Sequence, residues 1–505
     1  MRLTAPDLAQ LHALLGDDGV LAGDAALFTY ETDALAIEKH RPDVVVLPRS
    51  TDEVAAIVRW AAARGVPVTA RGAGTGLAGG ATPEHGGIVL SLNRMTRVLR
   101  LDTERMFAWV QPGMVNLWLS QHLAPHGLYY APDPASQQVS TVGGNVATNA
   151  GGPHCLKYGV TLNHVIGLVT VLADGTVVTL GDERQDGVDA DLASVVVGSE
   201  GTLGIVTEIA VRLLPRPAAV RTMLFDFGTI EEACRSVSAV IATGIVPAAM
   251  EIIDRHTVGL VEAWLHIGLP LDAAGVLLIE VDGPAESLER QVTMIGELAR
   301  ANGARSTRVA KDEAERALIW RGRKSAFGAY GRTASGFYIM DGVVPRTRLA
   351  EALAGVYRMA AERGLEAGNV FHAGDGNLHP HILFDAGDPA QQAAALAVSH
   401  EILRMCIRMG GTISGEHGVG IEKRPMMREL FAPADLDVMH ALRQAFDPDR
   451  RLNPGKILPG GGGCGETHES GDPVESGVRG TAMGEGVPAQ LGGRTARADV
   501  EGPWI

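Results

Sequence analysis

Four polar residues in two glycine-rich stretches carry the first chemical signal in this chain. Val370–Phe384 reads as two apolar runs joined by Gly374-Asp375-Gly376-Asn377, whose glycines supply the positive-φ positions of a tight reversal. Such a hairpin sets His372, at the end of the first strand, across from His379 near the start of the second. Further along, Ser414-Gly415-Glu416-His417-Gly418-Val419-Gly420 places a carboxylate beside another imidazole. His372, His379 and Glu416 together make a ligand set for a divalent metal of the zinc type with an open position. His417 then stays free to move protons. The plainer alternative is a pair of glycine-rich turns holding surface histidines, although polar residues held among turn glycines point more often to function.

The segments that must position these residues follow from periodicity and punctuation. Residues 1 to 40 read as short helices and connectors, with Leu8, Leu11, Leu14 and Leu15 on one stripe. Core structure begins at Asp43–Pro48, a buried-strand run. Ser50 with Glu53 forms a capping box for a helix over Thr51–Arg64, and Val66–Ala70 is a second strand. Arg71–Gly80 then carries five glycines in ten residues, which lets bare N–H groups approach an anion closely. No Gly-Lys-Ser/Thr closes the run as in a Walker loop. The β-α-β unit precedes the glycines, whereas a Rossmann fingerprint opens one. Alone, the run is equally compatible with a tight connector.

Strands over Ile88–Leu92, Val98–Leu101 and Ala108–Val110 and a helix over Val115–Ala124 lead to Pro132–Ser136 and Thr141–Gly152. These polar, glycine-rich segments have too few large side chains to fill a core and are expected to lie flat against a ligand. An apolar hairpin over Val165–Leu180 turns at Asp174-Gly175, and Val195–Val206 repeats strand, bare turn and strand. Three bare segments in one α+β domain suggest a long ligand gripped along its length. Pro215-Arg216-Pro217 reads as a boundary. Beyond it, strands over Thr222–Phe227, Met250–Ile253 and Gly275–Val281 alternate with helices such as Ile230–Thr243 and Glu286–Asn302. That is the signature of an antiparallel sheet with helices on one side. A helix over Asp312–Gly328 carries Trp320, Arg321, Arg323 and Lys324, a basic cluster open to reading as a solvated face. After the hairpin come helices over Pro389–Met409 and near Ala434–Phe446, with the Gly-Glu-His loop between them. Leu452–Lys456 ends the ordered chain, and the composition from Gly460 onward predicts a disordered tail.

The 505 residues suffice for two or three domains with sizeable cores. A net charge of −15 argues against a nucleic-acid or anionic-membrane surface. Cys155, Cys234, Cys406 and Cys464 form no Cys-x-x-Cys pair, so neither a disulfide framework nor an iron–sulfur cluster is expected. The N-terminus lacks an apolar signal core, and no apolar run is long enough to span a bilayer. A cytoplasmic protein is expected, with any association at the inner membrane made through partners.

Taken in order, ARGAGTGLAGG, LYYAPDPASQ, GGNVATNAGG, HCLKYG, GSEGTLGIVTE, FHAGDGNLHP, SGEHGVG and FDPDRRLNPGK resemble the FAD-linked oxidase family. The resemblance is to members with the vanillyl-alcohol-oxidase (PCMH) type of flavin domain and covers residues 20–458. It is strongest toward the 2-hydroxyacid dehydrogenase branch: the flavoprotein subunits of glycolate oxidases, then D-lactate and D-2-hydroxyglutarate dehydrogenases. It implies an α+β fold in which an N-terminal helical segment (1–40) precedes a two-part PCMH-type FAD-binding domain (41–216). A substrate (cap) domain, α+β and ferredoxin-like with a C-terminal helical segment, spans 217–458, and 459–505 is a disordered tail.

By the same resemblance, Arg71, Gly72, Ala73, Gly74, Thr75, Gly76 and Leu77 match the loop whose amides hold the FAD pyrophosphate. Pro132, Asp133, Ser136, Ser140, Thr141, Gly143, Gly144, Asn145, Lys157, Tyr158, Gly159, Glu200, Gly201, Gly204, Ile205 and Val206 would line the rest of the cofactor. Asn453 matches a C-terminal flavin contact. His372, His379 and Glu416 match metal ligands, with zinc or manganese implied, and His417 the catalytic base. Arg323 matches an arginine for the substrate carboxylate, with Lys324 as a substitute. Thr75 and Gly76 stand where covalent members carry a flavin-linking histidine, so FAD is expected to be non-covalent. Tyr338-Ile339-Met340-Asp341 lacks a lysine of the hydroxyglutarate branch, which favours a small monocarboxylate. The implied reaction oxidises glycolate, or D-lactate as the alternative, by hydride transfer to flavin N5. Companion subunits, a second FAD subunit and an iron–sulfur subunit, are implied as partners. Two rivals are a zinc hydrolase without flavin and a flavin-bearing assembly subunit without turnover.

Overall fold

The computed structural model describes residues 3–181 and 191–460. The tail expected beyond Gly460, with Cys464, lies outside the described residues. The chain opens on a small sheet in the order Val20–Leu21, Val44–Val46, Ile88–Ser91, Val68–Arg71, whose last three strands run parallel. Val44, Val45 and Val46 are all fully buried because both faces of this sheet are covered, so no alternation is visible in the run. Helix Thr51–Ala62 crosses over one face and packs Val54, Ile57 and Val58 against it. Its cap is one-sided: Ser50 Oγ accepts the Glu53 amide at 3.2 Å, but the Glu53 carboxylate takes the Arg49 amide and not that of Ser50. In the first helix, Ala5–Leu15, Leu11 and Leu15 are buried while Leu14 is exposed, which narrows the expected stripe.

A second, five-stranded antiparallel sheet follows the order Val98–Asp102, Phe107–Val110, Ile205–Arg212, Val165–Val171, Val177–Gly181. The segment expected as a strand at Val195–Val197 is instead the end of helix Leu192–Val196, capped by Asp191. A short apolar run looks the same in a buried strand and a buried helix. Only the strand after the bare turn, Ile205–Arg212, belongs to the sheet.

The third sheet orders Ala304–Val309, Ala219–Phe227, Gly275–Gly283, Ala249–Asp254, Glu366–His372, Asn377–Leu378 and Gly342–Val343, with Pro380–Phe384 and Gly336–Ile339 branching from it. Its pairings are antiparallel, as expected, but helices cover both faces. Met223, Phe225, Phe227, Met250, Ile252, Leu277 and Ile279 point into one core with helices Ile230–Ala242, Ala285–Ala301, Leu349–Ala361 and Pro389–Arg408. The alternate residues Leu224, Ile253, Val276 and Leu278 face helices Arg255–Leu265 and Glu313–Tyr330. Strict alternation with both phases apolar is the mark of a two-sided sheet. Each buried Phe contributes roughly 1.5–3 kcal/mol of transfer energy. Strand Ala304–Val309 escapes sequence reading because it is a largely exposed edge with no apolar phase. Helix Leu349–Ala361, also unanticipated, did carry a signal: Leu349, Leu353, Val356 and Ala360 are buried on one stripe.

Charged groups join the 132–158 region to strand Gly275–Gly283. His154 contacts Asp133 at 2.8 Å and Glu280 at 3.3 Å, and Glu280 also accepts Arg316 and Trp320 Nε1. Lys157 pairs with Asp282, and Tyr158 donates to the same carboxylate at 2.6 Å. Burial pulls the His154 pKa down, but Asp133 and Glu280 outweigh it and lift the imidazolium to about 10. Because the folded value exceeds the unfolded one, this contribution is complete below about pH 6.5 and is lost as pH rises through about 10. The measured unfolding free energy should therefore fall between pH 7 and 10, and less steeply in His154→Gln. Equal slopes in urea titrations of the two proteins would refute the assignment.

Candidate active site

The hairpin forms, but of its two turn glycines only Gly376 takes a positive φ. Strand Glu366–His372 turns through Gly376, at φ +85°, into Asn377–Leu378 and Pro380–Phe384. The register differs by two residues from the expected one, since His372 pairs with Asn377. The His372 and His379 rings still meet edge to face at 4.9 Å. Neither is a surface histidine: they are 4% and 8% exposed. Glu416 arrives from the Gly-Glu-His loop, and its Oε1 lies 3.2 Å from His372 Nε2 and 3.2 Å from His379 Nε2.

A carboxylate absent from the sequence reading orients this pair. Glu251, fully buried in strand Ala249–Asp254, accepts His372 Nδ1 at 2.7 Å and Arg323 Nε at 2.6 Å. A carboxylate can only accept, so the proton sits on Nδ1 and Nε2 is turned toward Glu416. Burial lowers the His372 pKa, but Glu251 and Glu416 hold it well above the usual range. Burial raises Glu416, yet the three neighbouring imidazoles bring it down to about 2. The second unforeseen carboxylate is Asp341, with no exposed surface. It accepts Ser414 Oγ at 2.7 Å, the His417 amide at 2.8 Å, the Glu416 amide at 3.2 Å and Lys423 Nζ at 3.0 Å. Asp341 thus fixes the loop that presents Glu416 and His417.

The residues fit a divalent cation. His372, His379 and Glu416 offer ligand atoms within 4.8 Å of one another, and His379 Nε2 is buried without a hydrogen bond. Arg323 pairs with Glu251 and Lys423 with Asp341, which leaves Glu416 facing imidazoles alone. Asp341, His379 and His417 are equally close together. Asp341 is the poorer ligand of the two acids, because four donors already occupy its oxygens. His417 stacks on His379 at 4.9 Å with 17° between planes. Burial, the largest influence, pushes its imidazole down to about 4, so the ring is neutral and able to accept a proton.

Beside this cluster runs a cavity of about 660 Å³. Arg71, Gly72, Ala73, Gly74, Thr75, Gly76, Leu77, Ser136, Ser140, Thr141, Gly143, Gly144, Asn145, Glu200, Gly201, Gly204, Ile205 and Val206 all line it, as do Glu416 and His417. Among the described residues, the amides of Ala73–Leu77 donate no hydrogen bond, a run of unspent donors that suits a pyrophosphate. Six of the expected cofactor residues stand elsewhere. Pro132, Asp133, Lys157, Tyr158 and Gly159 do not line the cavity, and the last four adjoin or form the charged junction to Glu280 and Asp282. Asn453 is buried behind the wall, where its amide nitrogen donates to the carbonyls of Gly80 (2.8 Å) and Glu200 (2.7 Å). The Glu200 side chain is itself a tie, accepting the amides of Val419 (2.6 Å) and Gly420 (2.9 Å) from the Gly-Glu-His loop. Arg323 does not line the cavity either and is 6% exposed against Glu251, so the basic cluster is no solvated face there; Lys324 does line it. Asp33, unremarkable in sequence, accepts the Leu35 amide at 2.9 Å and the Ala81 amide at 3.2 Å and shapes the glycine loop.

Comparison with known proteins places this geometry. Residues 42–181 match the family model described as an FAD binding domain, and 216–457 that of FAD linked oxidases, C-terminal domain. Glycolate oxidase subunit GlcD of Escherichia coli (strain K12) is 44% identical over 440 residues, 87% of this chain and 88% of that protein. D-lactate dehydrogenase of Anaerostipes hadrus is 33% identical over 462 residues, covering 90% and 97%. A solved p-cresol methylhydroxylase shares the fold, with a TM-score of 0.78 at 18% identity over 90% of this chain and 98% of that one. Among the described residues no helix is long and apolar enough to cross a membrane. The chain belongs to the FAD-linked oxidases and is an FAD-dependent oxidoreductase.

Proposed function

We propose that this protein oxidises a small 2-hydroxy acid, glycolate first and D-lactate as the alternative, to the 2-oxo acid. The convergence of two imidazole nitrogens on Glu416 Oε1, beside a cavity that His417 lines, is the observation that carries this reading. The relatives named glycolate oxidase subunit and D-lactate dehydrogenase support the substrate class. The cavity would hold FAD, the unspent amides of Ala73–Leu77 would take its pyrophosphate, and the bound cofactor would supply the hydride acceptor. His372, His379 and Glu416 would hold a divalent cation, zinc or manganese, which when bound would supply a Lewis acid for the substrate hydroxyl.

The chain's own residues do the rest. His417, neutral and half-buried, accepts the hydroxyl proton, a task worth on the order of 10²–10⁴-fold. Glu251 engages Arg323 through Nε, and the remaining guanidinium nitrogens are assigned to the substrate carboxylate, with Lys324 as the substitute. Glu251 also keeps His372 in the tautomer that turns Nε2 inward. Electrons leave to a companion iron–sulfur subunit, as membership in a glycolate oxidase assembly would require.

Two measurements test this. Anaerobic addition of glycolate or D-lactate to the purified yellow protein should bleach the flavin, whereas L-lactate and simple alcohols should not; a flavin untouched by every 2-hydroxy acid would reject the proposal. FAD should be non-covalent, because His417 is the one histidine, and no cysteine or tyrosine stands, among the described residues lining the cavity. Acid precipitation should release the flavin to the supernatant, and flavin in the pellet would contradict it.

A further inference from the structure

Most of the cavity wall is glycine, alanine and small polar residues, and among the described lining residues only Trp264 and Phe327 bring large aromatic carbocycles. Both leave much of their surface uncovered, 38% for Trp264 and 48% for Phe327. Uncovered aromatic surface in a cavity wall, away from any core, marks where a ligand's apolar part rests.

Helix Glu313–Tyr330 sets the location of Phe327. Arg323 lies one turn before it, at i and i+4, so both side chains share a face. Arg323 leads through Glu251 to His372, which puts Phe327 on the side of the helix that serves the histidine cluster. A second path reaches the same place. The Phe327 ring meets Phe337 edge-on at 5.1 Å and turns toward His381 at 6.5 Å. His381 Nδ1 donates to the carbonyl of His379 at 2.8 Å, so Phe327 is linked to a proposed metal ligand that immediately precedes strand Pro380–Phe384.

Trp264 stands against the same helix. Its ring lies so close to Gly328 that a Cβ there would stand 3.3 Å from two of its atoms, and the Arg332 guanidinium covers it at 5.4 Å.

We infer that Phe327, with Trp264 in the same cavity wall, limits the substituent on C2 of the substrate. The hydroxyl and carboxylate of a 2-hydroxy acid are claimed by the polar cluster, so its third substituent must meet an apolar surface. This wall accepts hydrogen or methyl and turns away longer 2-hydroxy acids. The inference rests on the functional reading above and adds the residues that set its substrate range.

The test compares wild type, Phe327→Ala and Phe327→Trp, each with its FAD content measured. Anaerobic flavin reduction is followed with glycolate, D-lactate, D-2-hydroxybutyrate and D-2-hydroxyisocaproate. The corresponding 2-oxo acids are titrated in parallel by their perturbation of the flavin spectrum. One methylene against an apolar wall discriminates by roughly 10- to 200-fold. Phe327→Ala should therefore raise the apparent second-order rate constant of flavin reduction for the C4 and C6 acids relative to glycolate by at least about tenfold, with tighter binding of their 2-oxo acids. Phe327→Trp should lower D-lactate relative to glycolate by a similar factor. Ratios within about twofold of wild type in both variants, with wild type reduced by glycolate, would overturn the inference alone. Wild-type flavin that no 2-hydroxy acid reduces would overturn the functional reading and this inference with it.

Discussion

Glu251 is a carboxylate with no access to water, and the active side of the molecule is built around the need to compensate it. An ionised acid in such a place is tolerated only if its lone pairs are filled by well-placed donors. The strand supplies Glu251, helix Glu313–Tyr330 supplies Arg323, and the hairpin strand supplies His372. Burial works against the charge, but Arg323 and then His372 hold the carboxyl below its ordinary range. Removing one partner from such a buried set costs roughly 3–5 kcal/mol, because the other charge is left unpaired. Three elements distant in sequence are thereby locked at the point where His372 must face Glu416.

Asp341 plays the corresponding part for the Gly-Glu-His loop. A loop rich in glycine pays a large ordering cost and has few side chains with which to hold itself. Here a buried Asp341–Lys423 pair gathers the amides of Glu416 and His417, while Glu200 gathers those of Val419 and Gly420 from the opposite side. The loop is thus pinned between the large sheet and the glycine-lined cavity. That is how one tetrapeptide can present a carboxylate to the histidines and an imidazole to the cavity at once.

The sequence displayed the participants better than their supports. Glycine punctuation made the hairpin and the loop legible, and with them His372, His379, Glu416 and His417. The bare segments around Arg71–Leu77 and Thr141–Asn145 were legible for the same reason: they lack the side chains a core requires. Glu251 and Asp341 were not, because a single acid within or just after an apolar strand has no periodic signature and its partners lie far along the chain. Asp133, Lys157, Tyr158 and Asn453 sit within conspicuous motifs, yet they serve junctions behind the cavity wall. A motif marks a neighbourhood; only the fold tells which side chain turns inward. The second helical layer was missed because two apolar phases in one strand look like a simple buried run.

Metal content of paired variants tests the central claim most directly, since Glu416 and His417 are adjacent but belong to different candidate ligand trios. Wild type, Glu416→Gln and His417→Asn would be purified with FAD, equilibrated with zinc or manganese, desalted and analysed for bound metal and flavin. Wild type should hold one divalent ion. Glu416→Gln should lose it, and His417→Asn should keep both metal and FAD while reducing its flavin slowly with glycolate. Retention of metal by Glu416→Gln with loss in His417→Asn would place the ion on Asp341, His379 and His417 and contradict the account.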